Sequence, residues 1–138
     1  MKFKLDIAYD YEFVLLGISC HEKDYRLCWA INNKVGLDLK KTEDLEIKEK
    51  SKKEASLYSL YRYEEKNKYR DFYIIANKIS DRFLIKEQKS ADYFILIKGS
   101  IEKSEIETLI KSLREINMIL AVFEINPNLL KSKQNLLF

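Results

Sequence analysis

The sequence predicts a single α+β domain of 138 residues, with a largely antiparallel sheet of about six strands and two amphipathic helices on one face. Three observations lead to this fold class. Short apolar runs are bounded by polar turns along most of the chain. Two segments repeat apolar residues at helical spacing, and several strand-like stretches separate them. Strands grouped between two helices favour an α+β architecture, in which the helices cover one face of the sheet.

The first strand–helix unit spans residues 13–36. Residues 13–20 (FVLLGISC) form a short apolar run and are predicted to be a buried strand. Residues 24–35 then repeat apolar side chains at helical steps, at Leu27, Cys28, Ile31 and Val35. Gly36 follows where a glycine commonly ends a helix.

The middle of the chain is predicted to be three strands. Residues 45–50 alternate apolar and charged side chains, and residues 69–79 are rich in aromatic and β-branched residues. Residues 56–64 are predicted as one strand with Leu57, Ser59, Tyr61 and Tyr63 on one face. Residues 64–68 are polar and predict a hairpin loop between the strands of residues 56–64 and 69–79.

The last unit is predicted to be strand, helix and strand. Residues 92–99 and 118–125 are the strands, and Pro127 ends the second. Residues 100–117 predict a helix, capped by Ser100 or Ser104, whose apolar stripe is Ile106, Leu109, Ile110, Leu113 and Ile116. This element order is nearest to the ferredoxin-like split βαβ arrangement, with extra strands between its two halves.

Residues 126–138 form a predicted C-terminal tail, which is polar and then ends in Leu136, Leu137 and Phe138. We expect these apolar residues to pack on the domain itself or on a second subunit. Only three glycines and one proline occur in the chain, so no flexible linker divides it into two domains. A single domain spanning residues 1–138 is the expectation from this length.

Charge and hydropathy indicate a soluble protein and do not by themselves indicate a nucleic-acid partner. The chain carries 25 basic and 22 acidic residues, which are interspersed and give a net charge of +3. The N-terminus lacks the apolar core of a signal peptide, and no apolar window approaches the length of a membrane span. A cytoplasmic location is therefore expected, where Cys20 and Cys28 would be reduced thiols.

No motif predicts a catalytic, metal or cofactor site. His21 is the only histidine, and its spacing from Cys20 and Cys28 fits no zinc-binding pattern, so both cysteines are predicted to be structural. The three glycines are too far apart for a phosphate-binding loop. General acid–base chemistry needs two carboxylates in one pocket, and the sequence leaves that open for three pairs: Asp6 and Asp10, Glu64 and Glu65, and Glu87 and Asp92. An enzyme is the less favoured class.

Aromatic residues are the most suggestive feature of the composition, with nine tyrosines and seven phenylalanines. Several lie beside arginines on two successive predicted strands, and they define a candidate binding surface of Tyr58, Tyr61, Arg62, Tyr63 and Arg70. Such a surface could pack within the sheet, contact a protein, or stack on the bases of RNA. The sequence signature of an RNA-recognition motif is absent.

Residues 85–93 (IKEQKSADY) carry a family resemblance. They resemble I-P-E-x-x-x-V-D-Y, the motif of the IPExxxVDY family of small bacterial proteins, with matches at Ile85, Glu87, Asp92 and Tyr93. Lys86 replaces the proline of the motif and Ala91 replaces its valine. The N-terminal half, with YDYEFVLLGI and KDYRLCWAINNKVGL, is similar to the same family. The resemblance implies a cytoplasmic protein of unassigned activity, without catalytic or cofactor-binding residues to transfer, and a structural role for the motif.

Two functions therefore remain as hypotheses. The first is a non-enzymatic domain that acts through protein–protein contact, including association into a homo-oligomer, because catalytic patterns are absent while the sheet is rich in aromatics and the tail is apolar. The alternative is an RNA-binding module that uses the aromatic and arginine-rich sheet face.

Overall fold

The structure, a computed structural model, describes residues 13–49 and 53–138. Its two α-helices are α1 (Asp24–Ile31) and α2 (Lys103–Arg114). Its strands are β1 (Val14–Ser19), β2 (Lys40–Lys41), β3 (Leu45–Ile47), β4 (Ser56–Tyr58), β5 (Leu60–Glu65), β6 (Arg70–Ala76), β7 (Lys78–Ile79), β8 (Arg82–Phe83), β9 (Tyr93–Gly99) and β10 (Ala121–Ile125).

Six strands form one antiparallel sheet in the order β10-β1-β9-β6-β5-β2, and this confirms the predicted α+β class. β9 lies between β1 and β6, and β1 lies between β9 and β10. α2 thus connects β9 and β10, which have β1 between them, and this unit is a split βαβ arrangement. α1 instead connects β1 to β2 at the far edge, across the three strands β9, β6 and β5. β5 and β2 extend the sheet beyond β6, while β3–β4 and β7–β8 form two small separate ladders.

Both helices pack on the same face of the sheet. Leu27, Cys28 and Ile31 of α1, with Leu109 and Leu113 of α2, share one buried cluster with inward side chains of the large sheet. The α2 residues belong to the predicted stripe, in which apolar side chains recur at steps of three and four. The opposite face of the sheet has its own apolar cluster, so both faces are covered.

The C-terminal tail covers that opposite face. Leu130 and Leu136 are buried against β6 and β9 residues of this second cluster. The ring of Phe138 meets the ring of Tyr73 edge to face, with centroids 5.2 Å apart. Of the two predicted destinations, the structure therefore shows the tail on its own sheet.

Several predicted boundaries were wrong. Residues 56–64 are not one strand, because the chain breaks at Ser59 and places β4 and β5 in different sheets. Residues 69–79 likewise divide into β6 and β7 at Asn77. The cap of α2 is neither predicted serine but Glu102, whose carboxylate and that of Glu105 satisfy each other's backbone N–H groups in a capping box.

The remaining limits of the elements also differ from the prediction. α1 ends at Ile31 and continues as a wide π-type turn through Gly36, whose φ of +79° suits glycine. β10 begins at Ala121 rather than at residue 118. Residues 84–92 contain no strand, although Leu84 and Ile85 are buried.

Candidate functional site

The first candidate site is a cavity of about 310 Å³ at the end of the loop of residues 84–92, and Asp92, Tyr93, Lys78 and the segment after β1 line it. Asp92 is its central group. One carboxylate oxygen accepts a hydrogen bond from the Cys20 backbone N–H at 2.8 Å, and the other meets the Lys78 ammonium at 2.7 Å. The Tyr93 hydroxyl donates to the Glu22 carbonyl at 2.7 Å. The fold thus brings part of the family motif together with Cys20 and His21, which line the same cavity.

The chemistry of this cavity does not favour nucleophilic catalysis. Burial raises the pKa of the Cys20 thiol, and burial raises the pKa of Tyr93 as well. A reactive cysteine needs the opposite, a lowered pKa that makes the thiolate available. His21 is exposed at the strand end beside Cys20, while Cys28 lies in the core, where burial raises its pKa to about 12.

The other two motif residues point away from Asp92. The Glu87 carboxylate accepts hydrogen bonds from the Ser132 backbone N–H at 2.6 Å and the Ser132 hydroxyl at 2.9 Å, so it binds the C-terminal tail. Burial opposes the charge on Glu87, but the hydrogen bonds from Ser132 outweigh it and lower the pKa. Ile85 is fully buried in the second apolar cluster. Asp92 and Tyr93 therefore bind the segment after β1, whereas Glu87 binds the C-terminal tail and Ile85 packs in the apolar cluster.

Asn77 is the residue that organises this loop, and the sequence did not single it out. Its side-chain amide donates to the carbonyls of Gln88 and Ala91, both at 2.9 Å, and accepts from the Ile85 N–H at 2.8 Å. The residue has no exposed surface. A polar residue inside the apolar stretch YIIANKI was the only signal in the sequence that could have drawn attention to it.

The acidic pairs do not converge on one pocket. Glu65 binds the Arg70 guanidinium at 2.7 Å, whereas Glu64 lies 3.9 Å from Arg62 on the other side of the strand. Glu87 binds the tail and Asp92 binds Lys78, as described above. Asp6 and Asp10 lie outside the described residues. Within the described ranges, no three His, Cys, Asp or Glu side chains are grouped to hold a metal ion.

The aromatic set is not one exposed surface. Tyr61 and Tyr63 pack on the helix side of the sheet, and Tyr58 packs on the opposite side. Tyr58 is 2% exposed and Tyr61 is 9% exposed, because both side chains fill the two apolar clusters. Only Arg62 of the five has a largely accessible side chain, and Asp71 pairs with it at 3.3 Å. Base stacking would need several rings on one open face, which this arrangement lacks.

Arg70 anchors a second candidate site, a groove of about 400 Å³ between α2 and the turn after α1. Its guanidinium is buried and pairs with Glu65 at 2.7 Å and with Glu105 at 2.8 Å. Two carboxylates already satisfy this cation, so Arg70 connects the β5–β6 hairpin to the start of α2. The hydroxyls of Ser104, Thr108 and Ser112 line the α2 side of the groove.

The outer face of α1 presents the largest exposed aromatics of the helices. Tyr25 is 59% exposed and Trp29 is 68% exposed. They are four residues apart and therefore neighbours on one helix face. The opposite side of the same helix is buried in the core.

Comparison with known proteins adds no relative: no family model matches the chain, and no curated protein matches it. The resemblance to the IPExxxVDY family stays a prediction from the motif. Within the described part of the chain, neither helix combines the length and the apolar character that a helix crossing a bilayer needs.

Proposed function

We propose that this protein is a non-enzymatic cytoplasmic domain that binds other protein chains and also associates with itself. The observation that carries the proposal is the exposed pair Tyr25 and Trp29 on the outer face of α1. Large aromatics are costly to leave in water, and tyrosine and tryptophan are enriched where proteins bind each other. Membership of the IPExxxVDY family is proposed with it, on the four matching residues at positions 85, 87, 92 and 93.

Packing and a hydrogen bond hold α1, and with it the exposed aromatic pair, in a fixed position. Leu27, Cys28 and Ile31 are buried on its inner face, so the outer aromatics stand on a backbone fixed by the core. The Asp24 carboxylate in the first turn of α1 accepts a hydrogen bond from the hydroxyl of Ser59, the residue between β4 and β5. This bond attaches the helix to the sheet. A rigid support lowers the ordering cost of binding.

Site-specific photo-cross-linking in the native cytoplasm tests this proposal. A benzophenone amino acid at position 29 is expected to form protein adducts that mass spectrometry identifies. The matched control is the same amino acid at position 107, where Glu107 is exposed on α2. The proposal predicts adducts at position 29 in clear excess over position 107. Equal yields at the two positions, or adducts with RNA in place of protein, would contradict it.

A further inference from the structure

Among the described residues, the outer edge of β10 is an open strand edge. β10 is the terminal strand of the sheet there and pairs with β1 alone. The Ser19 carbonyl of β1 accepts from the Leu120 N–H on the β10 side, while the Ile18 carbonyl accepts from the Asp92 N–H on the β9 side. Because backbone groups of successive residues point to alternate sides of a strand, the odd-numbered residues of β1 bond to β10.

This alternation shows which backbone groups of β10 have no partner strand in the part of the chain that the structure describes. Gly17 is opposite Phe123 and is an odd-numbered residue, so Phe123 bonds to β1. Val122 and Glu124 therefore direct their N–H and C=O groups outward. The Arg114 guanidinium donates to the Val122 carbonyl at 2.9 Å, which agrees with this orientation. Within the described ranges, no other hydrogen bond reaches the outward backbone groups of Val122 and Glu124. Exposed strand edges of this kind pair readily with another strand.

The charges along this edge are self-complementary. Val122 belongs to the helix-side cluster, and side chains two apart share a face, so Glu124 lies on the helix side together with Arg114. Glu124 is exposed, and its carboxylate has no ion-pair partner among the described residues. Arg114 is hydrogen-bonded to the Val122 carbonyl, and Val122 lies two positions along the strand from Glu124.

We propose that β10 pairs antiparallel with β10 of a second copy, about a two-fold axis through Phe123. This register places Val122 opposite Glu124 of the second copy, where the two residues can exchange both backbone hydrogen bonds. A two-fold axis perpendicular to the sheet keeps the helices of both copies on one side. Arg114 at Val122 then meets the unpaired Glu124 of the second copy, and the same ion pair forms twice.

Exposed apolar residues at the two ends of the strand support the same register. Leu120 precedes β10 and is 63% exposed, while Leu129 follows it and is 80% exposed. In an antiparallel pair the start of one strand lies beside the end of the other. Each Leu120 would therefore approach the end of the second copy that carries Leu129, and association would cover apolar surface at both ends.

This inference rests on the self-association part of the proposed function and names its surface. It does not involve the outer face of α1, so the two proposals can fail separately. The test is sedimentation equilibrium of the full chain over a range of concentrations. We expect a monomer–dimer equilibrium for the wild type. Variants in Tyr25 and Trp29 are expected to leave its dissociation constant unchanged.

Charge exchange across the interface is the sharpest test. Glu124→Arg and Arg114→Glu are each expected to weaken the dimer about tenfold or more, since each places like charges together. The double variant Arg114→Glu/Glu124→Arg restores opposite charges and is expected to recover most of the affinity. Lys40→Glu, a charge reversal on the edge strand β2 at the other end of the sheet, is the matched control and is expected to have no effect.

A backbone variant tests the strand pairing itself. Glu124→Pro removes an N–H that points outward and leaves the β1 ladder intact, so it should fold and lose the dimer. Circular dichroism checks the fold, and Glu124→Arg supplies an independent variant if proline disturbs it. A wild type that stays monomeric overturns the inference. So does a dimer that survives Glu124→Arg with an unchanged constant, or one that dissociates on Tyr25 and Trp29 substitution instead.

Discussion

Replacing Asn77 with alanine should lower the free energy of unfolding by about 2 to 4 kcal/mol. The side chain donates hydrogen bonds to the Gln88 and Ala91 carbonyls and accepts one from the Ile85 N–H. The Gln88 carbonyl keeps a second partner, the Ala91 N–H. Alanine would therefore leave two buried backbone groups, the Ala91 carbonyl and the Ile85 N–H, without partners, at about 1–3 kcal/mol for each. We take the lower part of that range for the sum, because the loop can relax toward solvent. The loss is a large fraction of the stability of an ordinary domain.

Urea-induced unfolding followed by circular dichroism measures this loss. Asn77→Asp should do no better than alanine, because a carboxylate accepts from Ile85 but cannot donate to the two carbonyls. Asn33→Ala is the matched control: Asn33 is exposed and donates one hydrogen bond to the Trp29 carbonyl. A loss below about 1 kcal/mol for Asn77→Ala, or a loss equal to that of Asn33→Ala, would refute the reasoning.

Three other predictions concern backbone geometry, the tail and pH. Gly99→Ala should destabilise the fold by more than about 2 kcal/mol in thermal unfolding, since φ is +106° and a Cβ would lie 2.8 Å from the Arg70 Cα. Gly36→Ala is the control, because its φ is +79° but the space around it is open, and it should destabilise the fold by about 1 kcal/mol. Deleting residues 136–138 removes a fully buried leucine and should lower the urea midpoint by an amount equivalent to about 3 kcal/mol; an unchanged midpoint would contradict the tail's packing. Burial raises the pKa of Cys28 to about 12, so as pH rises its thiol ionises in the unfolded state before it ionises in the folded state. The free energy of unfolding should therefore fall above about pH 9 by about 1.4 kcal/mol per pH unit. Cys28→Ala should reduce that slope.

Local patterns allowed the fold class and most elements to be predicted. The apolar run of residues 13–20 became β1, and the stripe through Leu109 and Leu113 became the buried face of α2. These elements follow from periodicity, which depends only on neighbouring residues. The break at Ser59 does not, because it accompanies a hydrogen bond from Ser59 to Asp24, a residue far away in the sequence.

The candidate site was less predictable for the same reason. The sequence could not show that Glu87 and Asp92, close in the chain, bind Ser132 and Lys78 in different directions. It also could not show that Tyr58 and Tyr61 pack on opposite sides of the sheet, since a break in the strand separates them. Asn77 was missed because its importance lies in three backbone groups of another segment. Long-range partners, rather than residue types, decide these roles.

The position of β1 bears on how the chain acquires its fold during synthesis. β1 is the first described strand, yet both of its neighbours, β9 and β10, come from the last third of the chain, with Leu15 opposite Ile125. More than two thirds of the polypeptide must therefore leave the ribosome before β1 can pair with β9, and almost all of it before β1 can pair with β10. Topologies dominated by such distant pairings fold slowly, and until then VLLGIS would remain an unpaired apolar strand. Chaperone binding to the nascent chain should accordingly concentrate on β1 and cease once β10 has emerged.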